Sequence, residues 1–183
     1  MKPIRIMAAS GMLGYGFTEE AFKNGLAMGL DLIACDAGSA DPGPYYLGSG
    51  TAFVSRLAVK RDLGLMVKGG VEAGVPVFIG SAGGSGSNPQ VDWTLDILRE
   101  ICEEQSITPK VVVLRSEISK EKLKSKIKND KITPLGPIAP LTLDDADNSH
   151  RVVAMMGIEP FQEALETGAQ VVLSLIHISE PTR

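Results

Sequence analysis

The 183-residue chain has 44% apolar and 22% charged residues, ordinary values for a single folded domain with a sizeable core. A formal net charge of −4 gives no broad attraction to nucleic acid or to an anionic membrane, and no apolar stretch approaches the ~20 residues that span a bilayer. Two cysteines without Cys-x-x-Cys spacing, and a start that enters a strand-like run instead of a signal segment, point to reduced thiols in a cytoplasmic protein.

Taken in order, Ile4–Ala9 reads as a first strand. Thr18 is a good N-cap for a helix that opens with Glu19 and Glu20, where negative charge suits the helix dipole, and that stops at Gly29. Asp31–Asp36 is a second apolar strand, so the chain opens as a βαβ unit. A long glycine-rich loop follows, and Thr51–Gly74 then reads as a helix with Phe53, Val54, Leu57, Ala58, Leu65 and Met66 on its apolar stripe. Arg61 interrupts that stripe, and Gly64, Gly69 and Gly70 weaken the helix's second half by propensity.

Pro76–Ile79 is the third strand, and Gln90–Gln105 a helix with Val91, Trp93, Leu95, Leu98 and Ile101 facing inward. Lys110–Arg115 contains the clearest β-branched run and is the fourth strand. Ser119 caps a lysine-rich helix, Lys120–Asn129, whose lysines spread around its surface instead of forming a stripe. A proline-rich connection at 133–140 leads to a helix from Thr142 to Met156, a short helix from Glu159 to Thr167, and a fifth strand, Ala169–Leu173. Strands alternating with helices predict an α/β fold, a Rossmann-like, mostly parallel sheet with helices on both faces, spanning residues 1–173. Strand order is not readable at this level. The last ten residues, 174–183, closely resemble translated sequencing-adapter read-through, and they are expected to stand outside the fold and its function.

The sequence has no phosphate loop, no His-Glu-x-x-His and no Gly-x-Ser-x-Gly elbow. What it offers is convergence. Ser10, Asp36, Ser81 and Arg115 fall at or just beyond the carboxyl ends of different strands, where ligands of parallel sheets bind. Glycines at 11, 14, 16, 38, 48, 50, 80, 83 and 84 allow close backbone approach, and the helix N-termini after these loops favour a carboxylate or phosphate. Arg56 is a further anion-binding candidate. Asp36 and Asp41 are the acid/base candidates, with loop capping and a turn before Pro42 as their alternative roles. Ser39, Ser49, Tyr45 and Tyr46 line or shape the same loop. Asp36 also stands where a dinucleotide domain keeps its ribose-binding acid, although glycines 11, 14 and 16 reverse the usual spacing. Asp144, Asp145 and Asp147 read as dipole partners in a first helical turn instead of metal ligands, so no metal is expected. The sequence names no cofactor.

Residues 6–17, 36–50, 79–84 and 154–165 together resemble the acyclic terpene utilisation (AtuA) family, as the amino-terminal part of a longer protein. The resemblance implies a catabolic protein handling carboxylic-acid or acyl-CoA intermediates, and it carries over no catalytic residue. The expectation is thus an enzyme of lyase, hydratase or isomerase type acting on a small anionic substrate, with Asp36 or Asp41 as acid/base. A non-catalytic binding subunit is the alternative, and a homo-oligomer or a partner subunit is open in either case.

Overall fold

The computed structural model describes residues 3–38 and 43–174. Its strands β1 (Ile6–Ala8), β2 (Leu32–Asp36), β3 (Val77–Gly80), β4 (Val111–Leu114) and β5 (Val171–Ser174) form one all-parallel sheet in the order β1-β2-β3-β5-β4. The helices are α1 (Glu19–Leu26), α2 (Tyr45–Ser49), α3 (Arg56–Ala73), α4 (Asn88–Gln105), α5 (Lys120–Lys128), α6 (Leu143–Asn148) and α7 (Glu159–Glu166). The fold is α/β with helices on both faces, as the alternating pattern predicts.

Right-handed crossovers put the connecting helices on one face while the chain advances and on the other when it turns back. The chain advances from β1 to β2 to β3 to β4, and α1, α3 and α4 share one face. There Ile33, Cys35, Val77, Ile79, Val171 and Leu173 meet Phe22, Leu63, Met66, Val67, Ile97, Leu98 and Ile101 in the main core. The return from β4 to β5 puts α7 on the second face, where Ala164 and Phe161 pack on Phe78, Val112, Leu114 and Val172. On β1, Met7 turns to the main core, while Ile4 and Ile6 on the opposite side are 76% and 60% exposed.

Several boundaries move from their sequence positions. Helix α3 begins at Arg56, not Thr51, because Ser55 accepts from Ala58 N and caps it. Its buried stripe includes Val59, Leu63, Met66 and Val67; of the expected stripe Met66 is buried, while Leu57 is 80% exposed. Helix α6 ends at Asn148, well short of Met156, because Val153 bridges antiparallel to Glu117 and holds that segment extended. Ser174 belongs to β5, fully buried, its hydroxyl donating to Ile79 O at 3.1 Å; residues 175–183 lie outside the described residues.

The glycines of α3 fit packing. A Cβ on Gly69 would stand 2.7 Å from Phe22, and one on Gly70 would stand 2.8 Å from Val75 O and closer still to Val77. These positions let α3 lie tightly on α1 and β3. Gly70→Ala is therefore expected to destabilise by about 1–3 kcal/mol in urea unfolding, despite alanine's better helix propensity. Gly64→Ala, whose Cβ would stand 3.3 Å from the movable end of Gln105 and in ordinary contact with Ile101, is expected to leave stability unchanged or raise it by up to about 1 kcal/mol.

Candidate functional site

Backbone hydrogen bonds extend the sheet into its carboxyl-edge loops: Leu13 N to Asp36 O at 2.7 Å, Ala37 N to Gly80 O at 2.8 Å, and Ala82 N to Ser174 O at 3.0 Å. Below them, on the α7 face, is an open cavity of about 430 Å³. Its floor is Ala8, Ala34 and Phe78, which neighbouring strands place side by side in register, and one wall is Met156 to Ile158 with Phe161. Ser10, Gly11, Asp36 and Gly80 close the polar end. Small residues on β1 and β2 make the room, and no helix among the described residues packs over them.

Asp36 is half-buried, and its Oδ1 accepts from Gly38 N at 2.9 Å in an Asx turn. That is its one hydrogen bond among the described residues, so Oδ2 has none from them. Ser10 is turned to its own loop: its hydroxyl donates to Met12 O at 2.8 Å. Cys35, the other titratable group lining the cavity among the described residues, donates to the Ser10 and Asp36 carbonyls at 3.5 and 3.4 Å, and burial pushes its thiol up to about 12. It is no nucleophile near neutral pH.

Other expected site residues serve the framework. Asp62, fully buried on α3, accepts from Gly14 N at 2.9 Å and Gly16 N at 3.0 Å through one oxygen, and from Arg61 at 2.7 and 2.9 Å through the other. The first glycine loop is thus pinned inward, with two of its amides unavailable to a phosphate. Gly38 is glycine because a Cβ would collide with Gly84 O and stand 2.5 Å from Ser81 Cβ. Gly83 would drive a Cβ to 2.9 Å from Gln90 O, and Ser81 itself takes a left-handed φ of 49°.

Tyr45 and Tyr46 fall on α2, a helix absent from the sequence reading, and Tyr46 meets Phe53 edge-on at 5.2 Å. Gly48 is on the same helix, Gly50 caps it with φ 73°, and the Ser49 hydroxyl pairs with that of Thr51 at 2.8 Å. None of these lines the cavity. Ser39 and Asp41 lie outside the described residues.

Neither arginine comes to the cavity. Arg56 makes a two-pronged pair with Glu100 on α4 at 2.6 and 2.8 Å, and its hydrogen bonds hold the Glu100 carboxyl down at about 2. Arg115 turns to Asn88 and Asp92 at the start of α4. The N-terminus of α4 does hold a carboxylate, but it is the protein's own: Asn88 N donates to Glu117 at 2.7 Å. Asp145 serves a capping box with Thr142, whose side-chain hydrogen bond holds its carboxyl below the usual range. Among the described residues no cluster of three metal-ligating side chains occurs, and no helix is long and apolar enough to cross a membrane.

Sequence reasoning assigned no role to Gln90 or to the 156–161 wall. Gln90 is fully buried and binds both loop systems. Its Nε2 donates to Thr51 O at 2.8 Å and Tyr46 O at 3.3 Å, while its Oε1 accepts from Ser87 N at 3.0 Å and Ser85 N at 3.2 Å. The signal for the wall was present in the 154–165 block, one of those carrying the family resemblance. In comparisons with known proteins, no family model matches the chain, and neither a curated protein nor a solved structure matches it.

Asp62→Ala would leave the Gly14 and Gly16 amides without their acceptor. We expect about 3 kcal/mol lower stability in urea unfolding, and faster amide exchange at Gly14 and Gly16 than at the strand amides.

Proposed function

We propose that the chain is the substrate-binding α/β unit of an AtuA-like catabolic enzyme, acting on a small branched acyl thioester by proton transfer. The observation that carries this reading is an apolar cavity that ends, among the described residues, at one carboxylate, Asp36, whose Oδ2 takes no hydrogen bond from them. A volume of about 430 Å³ is within the range of small-molecule sites, and Ala8, Ala34, Phe78, Met156 and Phe161 suit a hydrocarbon chain. Asp36 opposes a free carboxylate at contact distance, and Arg56 and Arg115 are committed elsewhere, so an uncharged thioester carbonyl is favoured over a free acid. A carboxylate at the end of an apolar cavity suits acid/base steps of the hydratase, isomerase or lyase kind. In such a step Asp36 would take a proton from the substrate carbon or hydroxyl and return it to product.

The other reading, a non-catalytic ligand-binding subunit, would use the same apolar cavity to hold the ligand without a proton transfer at Asp36.

Asp36→Asn retains an oxygen to accept from Gly38 N, so the melting temperature is expected to stay within a few degrees. Turnover of a branched medium-chain coenzyme A thioester is expected to fall by about 10²–10⁴-fold. Saturable thioester binding without conversion by the native chain would favour the binding subunit, and a collapse in melting temperature would reduce Asp36 to a loop cap. Ala34→Leu tests the cavity separately. It fills the floor, and calorimetry should show thioester affinity at least about tenfold weaker with the fold intact.

A further inference from the structure

Two further recesses follow the Asp36 cavity along the carboxyl edge of the sheet. The first, of about 360 Å³, is lined by Leu114, Ser116, Lys122 and Pro160 among others, and it shares Met156 with the cavity. The second, of about 140 Å³, is lined by Ser119, Lys120, Ser149, His150 and Arg151. It shares Glu117 and Ile118 with the first. An apolar cavity, a mixed recess and a small basic one thus stand in a row.

Strand register fixes their spacing. Cys35, Ile79, Leu173 and Val113 are successive partners across β2, β3, β5 and β4. Asp36 and Leu114, one residue further on, are therefore at one level, three strand spacings or about 14 Å apart. A carboxylate attached directly to an acyl chain in the cavity could not reach the recess at Leu114. An anionic group on a long linker could.

The recesses carry positive charge that the protein leaves unused. The Lys122 ammonium makes no hydrogen bond or ion pair with the described residues, and Lys120 makes one bond, to Asp147 O at 2.7 Å. The nearby carboxylates are engaged: Glu117 by Asn88 N and Arg151, Asp147 by Lys124, and Glu121 by its own amide and Ser119. Arg115 borders the first recess but stays with Asp92, and Glu159, exposed at the head of α7, lines none of the three. Among the described residues three buried side-chain atoms lack a hydrogen-bond partner, and two are here: Ser116 Oγ beside the first recess and Arg151 Nε beside the second. Buried polar groups are ordinarily partnered, so the two mark places for a polar ligand, an amide at Ser116 and a phosphate oxygen at Arg151.

We infer that these recesses bind the carrier of the acyl group, an arm of the coenzyme A type. Its amide-bearing pantetheine lies in the first recess past Met156, and its phosphates meet Lys122, Lys120 and Arg151. The inference rests on the acyl-thioester reading of the Asp36 cavity for what lies at the other end, while the phosphate contacts are separate from it.

Calorimetry of the whole chain with three probes tests the two ends separately: isovaleryl-coenzyme A, isovaleryl-N-acetylcysteamine, which has the same acyl group without phosphate, and free coenzyme A. The coenzyme A thioester is expected to bind at least about tenfold tighter than the phosphate-free one, with the gap narrowing in high salt. Lys120→Gln with Lys122→Gln should weaken coenzyme A and its thioester by at least about fivefold. The N-acetylcysteamine thioester and the circular dichroism should stay unchanged, because both side chains are exposed. Equal affinity of the native chain for the two thioesters overturns the inference, as does a lysine variant that keeps full coenzyme A affinity or weakens both thioesters alike. If neither thioester binds but free coenzyme A does, with the same lysine dependence, the inference stands and the reading of the Asp36 cavity falls. If coenzyme A binds in neither form, the inference falls.

Discussion

The handedness of the parallel crossover is the constraint on which this architecture depends. Because β1, β2, β3 and β4 are visited in one direction across the sheet, their helices accumulate on one face and build a deep core around β3 and β5. Only the return from β4 to β5 puts a helix on the other side, and α7 reaches over β3, β5 and β4 but not over β1. The cavity at Asp36 is the consequence: it is the part of the second face that the described helices leave open. Alanines on β1 and β2, where a covered sheet would carry branched side chains, keep that space open.

Buried polar side chains, more than glycines, fix the carboxyl-edge loops. Asp62 gathers the first loop, Gln90 ties the second to the third, and Glu117 occupies the start of α4. Each satisfies backbone groups that would otherwise be buried without partners, and each therefore holds a loop in one conformation. The glycines are the complement of these anchors. Gly14 and Gly16 adopt positive φ so that both amides can reach one carboxylate oxygen, and Gly38 lets the second loop touch the third. A glycine-rich loop in this protein is a packed loop, and of the loop residues it is Ser10, Gly11 and Gly80 that, with Asp36, face the cavity.

The arginines follow the same logic. At the edges of α3 and α4, carboxylates are close by, and Glu100 and Asp92 engage Arg56 and Arg115 before any ligand could. The cavity that results is apolar with one acidic end, a chemistry suited to a hydrocarbon chain with an uncharged reacting group.

The sequence by itself determined the kind of fold. Short continuous apolar runs at 32–36, 77–80 and 111–114, alternating with helical stretches, point to an α/β sheet, and Thr18 and Ser119 cap their helices by their side chains as the sequence indicates. Asp36 at a strand end was legible for the same reason, since strand ends and polar loops are local features. The buried stripe of α3 was legible only in part, because Asp62 sits on the buried face and Leu57 off it. Strand order, the commitment of Arg56 and Arg115, and the meeting of Met156–Phe161 with Ala8 and Ala34 were decided by tertiary structure alone. These depend on which distant residues become neighbours, and the local periodicities of a chain do not encode that.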